Sequence, residues 1–300
     1  MSAFCVAATT CLFAALTACA GAAGGGSPLP LKEVARVSLP GPSNRFDYTS
    51  IDPTTNRLYI AHMNASRLLT FDLASRKVVR SIAVAGVHGV IAVPALHRVF
   101  ASATDDHQAV TIDATSGRVI ARASAGSYPD GLVYDPVERH VFVSDESGGV
   151  ETVLNAKGAR IATIALGGAA GNVQYDAVSR HILVDVQTRD EIAVIDPRTN
   201  KLITRIPVPC QSDHSLYVDS PRRLAFVACA DDAKLLTLDL RSMKVTQTAG
   251  VGSDPDVLAF DNGNRRLYVS AESGDVAVFV ERGVTTTDTL QSVAPSNTGG

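Results

Sequence analysis

The chain has 300 residues, of which 46% are hydrophobic and 19% are charged, and its formal net charge is −3. This apolar content is sufficient for a large folded body and excludes an intrinsically disordered chain. The charge is nearly balanced and no cluster of Lys or Arg stands out, which disfavours a nucleic-acid-binding protein, because affinity for nucleic acid depends on many basic contacts to phosphates.

The first 20 residues predict an export signal. They contain an apolar stretch that is too short to span a bilayer, followed by small residues. Residues 16–19, Leu-Thr-Ala-Cys, resemble the lipobox of bacterial lipoproteins, in which the cysteine is lipidated and becomes the first mature residue. Simple secretion with cleavage near Ala20 and an uncleaved start are the alternatives, since no Lys or Arg precedes the apolar stretch. We therefore predict a periplasmic or cell-envelope protein that is lipid-anchored at Cys19, with residues 21–30 as a flexible tether.

From residue 31 onwards one sequence unit is repeated. The unit is clearest between Phe46 and Val84, where four short apolar runs alternate with turn-forming residues, a pattern that predicts a four-stranded antiparallel meander. The second run recurs at steps of 41, 42, 41, 42 and 43 residues, beginning at Leu58, Val99, Val141, Ile182, Leu224 and Leu267. A period near 42 with four strands per unit is typical of a β-propeller. We predict an all-β propeller domain over residues 31–300.

The two ends of the repeat region allow two ways in which the ring could close. Glu33–Leu39 has the pattern of a fourth strand and precedes the first complete unit, while the sixth unit has its own candidate fourth strand at Thr286–Val293. The ring could have six blades, or it could be a seven-bladed design whose last blade lacks three strands. We favour the second alternative: six complete four-stranded blades plus one N-terminal strand of an incomplete seventh blade. Such a ring would expose sheet edges that can pair with another chain.

Two cysteines, Cys210 and Cys229, lie in the propeller domain. Cys210 precedes the first strand of the fifth unit, and Cys229 ends its second strand. Folding of this hairpin brings residue 229 opposite residue 214 or so, where a loop from Cys210 can reach it. Because disulfides form readily in oxidising compartments, we predict a Cys210–Cys229 disulfide, with two separate buried thiols as the alternative.

The repeated block x-Asp-Pro-x-x-x-Arg-x-Tyr-Val resembles the YVTN-repeat, YncE-like family of exported β-propellers. Versions of the block occupy residues 51–60, 134–143 and 260–269, and a related third-strand block occupies residues 194–201. Members of the family also share Gly-Val-His-Gly, found here at residues 86–89, and a Pro-Cys with a later Cys, found here at residues 209–210 and 229. The resemblance extends from about Leu31 to Gln291 and implies a seven-bladed fold. It is informative about fold and poorly informative about activity.

One position in each unit is rich in acids and imidazoles. It lies just before the innermost strand and is occupied in turn by Asp47, His88, Asp130, Gly171, His214 and Asp256. Because the innermost strands begin at the mouth of the central channel, we expect these side chains to face the axis. Two interpretations remain open. The five polar side chains could bind a polar ligand or a divalent metal such as Zn, Mn or Fe, or they could accept hydrogen bonds from backbone N–H groups of the entering loops.

The loops between second and third strands are expected on the same face, and several are acidic, for example at residues 104–107, 145–148 and 229–232. Acidic loops would attract cations or basic partners to the channel mouth. We therefore predict an exported envelope binding module for a small polar ligand or an envelope protein. The prediction includes no nucleic-acid partner and membrane contact only through the lipid anchor, and the oligomeric state is not determined.

An enzyme is the alternative. In a metal-dependent hydrolase or lyase of the lactonase-like sort, an ion held by the Asp and His residues would activate water or polarise a carbonyl. A divalent metal ion would then be the cofactor. The calcium-binding Glu and Asn residues of lactonase-like propellers are missing from this position, and no nucleophile elbow, phosphate loop or His-Glu-x-x-His motif occurs in the sequence.

Overall fold

The computed structural model describes residues 32–281 and, for the backbone only, residues 291–297. The predicted export signal, Cys19 and the tether lie outside the described residues. Within the described part, the helices are four three-residue 3-10 segments, none of which is long enough to cross a membrane: Met63–Ala65, Pro94–Leu96, Thr104–Asp106 and Gln187–Arg189.

The strands form six four-stranded antiparallel sheets, and each sheet takes its strands in chain order. The first three sheets contain β1 (Thr49–Asp52), β2 (Arg57–His62), β3 (Arg67–Asp72) and β4 (Lys77–Ala83); β5 (Val87–Val93), β6 (Arg98–Ala103), β7 (Gln108–Asp113) and β8 (Val119–Ser124); and β9 (Pro129–Asp135), β10 (His140–Asp145), β11 (Val150–Asn155) and β12 (Arg160–Ala165).

The other three sheets repeat this arrangement. They contain β13 (Ala170–Asp176), β14 (His181–Val186), β15 (Glu191–Asp196) and β16 (Lys201–Pro207); β17 (Asp213–Asp219), β18 (Leu224–Cys229), β19 (Lys234–Asp239) and β20 (Lys244–Gly250); and β21 (Pro255–Asp261), β22 (Arg266–Ala271), β23 (Asp275–Val280) and β24 (Gln291–Asn297). The first strand of each sheet packs against the first strand of the next, from β1 to β21. The protein is therefore a six-bladed β-propeller, and the six complete four-stranded blades that the repeat predicts are confirmed.

Turn acids hold the hairpins at the ends of the strands. Asp52 Oδ1 accepts a hydrogen bond from the backbone N–H of Thr54 at 2.8 Å, and Asp72 Oδ1 accepts one from the N–H of Ser75 at 2.7 Å. A side-chain acceptor of this kind satisfies donors that the turn leaves without a strand partner. These repeated acids therefore shape the turns of the blades.

Apolar clusters fill the interfaces between successive blades. Five clusters join the first blade to the second and so on to the sixth, and Phe142 and Phe226 are fully buried within two of them. Burial of one such side chain is worth roughly 2–3 kcal/mol. No comparable apolar cluster joins the sixth blade to the first among the described residues. There, Arg45 Nη2 lies 2.8 Å from Glu272 Oε1.

The predicted N-terminal strand of a seventh blade is wrong. Glu33–Leu39 forms no strand, and the side chains in this segment are mostly exposed, with Val34 79% exposed. The physical reason is that β24 already pairs with β23 and completes the sixth blade. The fourth strand of that blade lies at Gln291–Asn297 and overlaps only the end of the predicted Thr286–Val293.

The predicted disulfide is present. Cys210 and Cys229 are bonded to each other, with their Cα atoms 6.1 Å apart. In the fifth blade Cys229 pairs with Asp213 in the antiparallel register, so the loop that carries Cys210 returns along the end of β18. The bond links the entrance of the innermost strand to the second strand of the same blade.

Candidate functional site

A local irregularity orients the site residue in five of the six innermost strands. The pairing of β5 with β6 shifts between Val87 and Val90, and the pairing of β17 with β18 shifts between Asp213 and Ser215. The residues inside these two shifts include His88 and His214. A β-bulge of this type breaks the alternation of side chains and re-aims one of them. Shifts at the same place in β9, β13 and β21 contain Asp130, Gly171 and Asp256.

The structure brings the five predicted side chains together. A cavity of about 320 Å³ at the channel mouth is lined by Asp47, His88, Asp130, His214 and Asp256. At the sixth position, Gly171 packs closely against the innermost strand of the next blade, because a Cβ atom there would lie 2.7 Å from the backbone oxygen of His214. The predicted convergence on the axis is therefore observed, whereas binding of a ligand by these residues stays a prediction.

Eight further charged, amide or tyrosine side chains line the cavity, and four of these eight are acids. Four of them belong to the loops between second and third strands: Glu146, Gln187, Asp231 and Glu272. The other four are not among the residues predicted from the sequence: Arg45, Tyr48, Tyr128 and Asp254. A signal for three of these was available, since Arg45, Tyr128 and Asp254 each precede a predicted site residue by two positions. Seven Asp and Glu side chains thus line a cavity that contains a single Arg.

An ion pair crosses the cavity wall between the fifth and sixth blades. His214 Nε2 lies 3.1 Å from Asp256 Oδ1. Burial alone would lower the pKa of His214, but the hydrogen bond and charge of Asp256, with smaller effects of Asp130 and Glu146, raise that pKa to about 9. Burial would raise the pKa of Asp256, but His214 outweighs it and lowers that pKa below 3.8. The pair is therefore ionised at neutral pH.

Asp130 is the buried carboxyl of the site. The residue is only 7% exposed, and its Oδ1 atom has no hydrogen-bond partner among the described residues. Burial, followed by the charge of Asp47, raises the pKa of Asp130 to about 8. Burial and the charge of Asp256 likewise raise the pKa of Asp47 to about 6. A cation in the cavity would supply the opposite charge that pairs with these carboxylates, since a buried charge is costly unless it is paired.

His88 is held by two hydrogen bonds. Its Nδ1 atom lies 2.7 Å from the backbone oxygen of Gly86, and its Nε2 atom lies 2.8 Å from the hydroxyl of Tyr128. A carbonyl oxygen can only accept, so we assign the proton to Nδ1, and Nε2 accepts a hydrogen bond from the Tyr128 hydroxyl. Both nitrogens are thus engaged by the protein itself, and His88 orients Tyr128 at the cavity wall.

A hydrogen-bonded chain crosses the channel next to the site. The hydroxyl of Tyr48 donates to Asn172 Oδ1, the Asn172 amide donates to Ser215 Oγ at 3.4 Å, and Ser215 Oγ donates to the backbone oxygen of Asp256. These contacts link the first, fourth, fifth and sixth blades. Burial, together with the charges of Asp130 and Asp256, raises the pKa of Tyr48 well above 10, so that Tyr48 remains a neutral donor.

The spacing of the site residues bears on the metal hypothesis. Among the described residues, one group of three His, Cys, Asp or Glu residues has ligand atoms within 4.8 Å of one another: Cys210, Cys229 and Asp232. Its two sulfur atoms are bonded to each other in the disulfide. No three of the five predicted residues therefore have ligand atoms within 4.8 Å of one another, and metal binding stays a prediction. The arrangement suits a ligand large enough to contact several carboxylates.

Comparisons with known proteins concern the fold. No protein-family model matches the chain, and no curated protein matches its sequence. The structure is similar to hydrazine synthase from Kuenenia stuttgartiensis, with a TM-score of 0.68 and 14% identity over 83% of this chain and 79% of that one. It is also similar to a functionally unknown protein from Desulfotomaculum acetoxidans, with a TM-score of 0.70 and 15% identity over 80% of this chain and 79% of that one. At such identities the similarity supports the six-bladed propeller fold and no particular activity.

Proposed function

We propose that this protein is an exported cell-envelope binding module that captures a small organic cation, such as a diamine or polyamine, at the mouth of its channel. The observation that carries the proposal is the Asp130 carboxyl, which is buried at the cavity and has an oxygen without a partner among the described residues. An ammonium group that donated a hydrogen bond to this oxygen would stabilise the ionised carboxylate in a site that water reaches poorly.

The shape of the site favours an organic cation over a bare ion. The carboxylates of Asp47, Asp130 and Asp256 line one cavity but do not form a three-ligand cluster. Separate ammonium groups on one flexible molecule can pair with carboxylates that a single ion cannot reach together. Tyr48 and Tyr128 add aromatic surface, against which an alkyl stem or an ammonium group binds favourably.

Export and family membership are parts of the same proposal. The disulfide between Cys210 and Cys229 is consistent with an oxidising compartment outside the cytoplasm. The repeat blocks, the Gly-Val-His-Gly segment and the Pro-Cys pair support a relationship to the YVTN-repeat propellers, with six blades here in place of seven. A lipid anchor at Cys19 would keep the protein at the envelope.

Titration calorimetry with purified protein tests the proposal. We expect putrescine and spermidine to bind, spermidine more tightly, and Asp130→Asn to weaken binding about tenfold or more through loss of one charge-assisted contact. Asp105→Asn is the matched control, because Asp105 is an exposed acid in a loop of the same face but does not line the cavity. If neither amine binds, or if both variants bind as the wild type does, the proposal is wrong.

The same preparation tests the enzyme alternative. A metal-dependent hydrolase or lyase should retain stoichiometric Zn, Mn or Fe through purification, and the metal should disappear in the His88→Ala/His214→Ala double variant. Hydrolysis of a lactone that depends on this metal would support the alternative. Amine binding by metal-free protein would support the binding module.

A further inference from the structure

The two faces of the propeller carry opposite charges. We define the basic face by the eleven described turns that join the first strand to the second and the third to the fourth within a blade. From the last residue of one strand to the first of the next, these turns hold 17 Lys and Arg and 10 Asp and Glu. The eleven described turns of the other face, which surround the channel mouth, hold 3 Lys and Arg and 12 Asp and Glu.

Most acids of the basic face accept hydrogen bonds within their own turns, whereas several of its cations remain available to bind a partner. Asp52, Asp72 and Asp113 accept backbone hydrogen bonds within their turns. By contrast, the side chains of Arg139 and Lys157 are exposed and make no ion pair with any described residue. The small net charge of the chain therefore conceals a molecule with a strong charge asymmetry, which is expected to orient it in an electric field such as that of a charged surface.

A groove on the basic face concentrates this charge. It lies between the second and third blades, has a volume of about 560 Å³, and is lined by Arg98, Arg139 and Lys157 together with His140 and a single acid, Glu138. The Nδ1 atom of His140 is buried and has no hydrogen-bond partner in the described part of the chain. A phosphate group placed in the groove could accept hydrogen bonds from several of these side chains.

Apolar side chains project from turns of the same face. Val137 is 51% exposed, Val178 is 59% exposed and Met243 is 39% exposed, and each lies in a turn between two strands of one blade. Val137 follows Pro136 in the turn that also carries Glu138 and Arg139 of the groove. Basic residues interspersed with exposed apolar tips form the kind of surface that binds lipid headgroups and inserts shallowly among them.

We infer that the basic face binds the anionic surface of a lipid bilayer, with a headgroup phosphate seated in the groove of Arg98, Arg139 and Lys157. The acidic face is repelled by the same surface, so the channel mouth is held toward the aqueous compartment. Nucleic acid fits these observations less well, because it would leave the apolar tips without a partner. The inference is independent of what the channel mouth binds, and it adds a peripheral contact to the predicted anchor at Cys19.

Vesicle flotation tests this inference, with Cys19→Ser in the full chain so that no lipid anchor contributes. We expect binding to phosphatidylcholine vesicles that contain phosphatidylglycerol, weakening as salt is raised, and no binding to phosphatidylcholine alone. Charge reversal at Arg98, Arg139 and Lys157 to Glu should reduce binding by at least about tenfold, since each juxtamembrane cation contributes to the attraction. Val137→Ser/Val178→Ser should also weaken binding while leaving the charge unchanged.

The control reverses the same number of charges on the opposite side. Arg67, Arg122 and Lys234 lie on or near the acidic face and are changed together to Glu. The side chains of Arg122 and Lys234 are 42% and 40% exposed, so loss of their ion pairs should cost little stability. Circular dichroism would verify that each variant is folded. Equal losses in the two triple variants, binding to neutral vesicles, or displacement by inorganic phosphate without dependence on salt would each overturn the inference. Binding of an oligonucleotide in preference to the anionic vesicles would overturn it as well.

Discussion

His214 and Asp256 form an ion pair between the innermost strands of the fifth and sixth blades, with 3.1 Å between Nε2 and Oδ1. Both side chains are largely shielded from water, being 20% and 29% exposed. The bond therefore joins two blades at the wall of the candidate site, and Ser215 reinforces it by donating to the backbone oxygen of Asp256. We expect the pair to contribute to the stability of the ring, while His214 neutralises one of the carboxylates at the channel mouth.

The pair should give stability a defined dependence on pH. Because the pKa of His214 is raised from 6.5 to about 9, its contribution is fully present below pH 6.5 and is lost as the pH rises through about 9. The pKa of Asp256 is lowered, so its contribution is present above pH 3.8 and is lost as the pH falls toward the lower folded value. The stabilisation should therefore span mildly acidic to neutral pH.

Asp256→Asn removes this contribution. We expect the free energy of unfolding to fall by about 1–3 kcal/mol near pH 7, because a charge-assisted hydrogen bond is lost, and to change little above about pH 10. Urea denaturation at the two pH values measures the difference, and NMR titration should show a lower pKa for His214. Asp105→Asn serves as the control. An equal loss of stability at both pH values would contradict the ionised pair.

Replacement of Glu151 should make the protein more stable. The residue is fully buried, its Oε1 accepts a hydrogen bond from Ser144 at 2.6 Å, and burial raises its pKa from 4.5 to about 8. The unfolded chain ionises at lower pH than the folded protein, so stability is lost as the pH rises from 4.5 to about 8. Glu151→Gln keeps the Ser144 contact and should raise the unfolding free energy by about 1–3 kcal/mol near pH 9, with little effect near pH 4.

Thermal unfolding of this variant at the two pH values tests whether stability rises near pH 9, as expected. Glu138→Gln is a matched control, because Glu138 lies in a turn of the basic face and is not buried. Destabilisation by Glu151→Gln at high pH would mean that the buried carboxylate has a compensating partner.

Gly89 should be intolerant of a side chain. A Cβ atom there would lie 2.1 Å from the backbone oxygen of Asp130 and 2.4 Å from Leu132 Cδ1. The second and third blades would have to separate at the channel mouth, and overpacking of this kind typically costs about 1–3 kcal/mol. We expect Gly89→Ala to lower the melting temperature and to weaken amine binding together, because the bulges that carry His88 and Asp130 would shift.

Gly250 offers the corresponding control. A Cβ atom at this position in β20 would have nothing within 4 Å. Gly250→Ala should therefore leave the melting temperature and binding nearly unchanged. If Gly89→Ala behaved like Gly250→Ala in calorimetry, the close approach of the two innermost strands would be in doubt.

The disulfide should stabilise the fifth blade. It closes a loop with a sequence separation of 19 residues, for which the loss of conformational entropy in the unfolded chain predicts about 3 kcal/mol. Cys210→Ser/Cys229→Ser, or reduction of the wild type, should lower the unfolding free energy by about this amount. Denaturation with and without reductant measures it, and the double variant, which has no bond to reduce, should be insensitive to reductant.

Much of the fold follows from the sequence because a propeller is a repeat. The recurring runs at Leu58, Val141 and Leu224 all lie in second strands, as predicted, and acids such as Asp72 and Asp196 end third strands. Alignment of the repeats also placed Asp47, His88, Asp130, His214 and Asp256 at one depth of the channel. Local alternation and turn chemistry are enough for these predictions, since each blade repeats the same local solution.

The closure of the ring required the tertiary structure. Glu33–Leu39 has a strand-like pattern, but which segment pairs with β23 depends on competition between the two ends of the chain. The sequence pattern of either end alone cannot decide that competition. The contribution of Tyr48 to the channel likewise depends on Asn172, which is three blades away.

The distribution of charge shows the same division between what the sequence determines and what the tertiary structure decides. The amino-acid sequence by itself determined the period, the β-strands and the small net charge of the whole chain. Only the folded ring decided that acidic and basic turns, which alternate along the chain, collect on opposite faces. The physical reason is that an antiparallel meander sends every second turn to the same side of a blade, so residues distant in sequence act there as one surface.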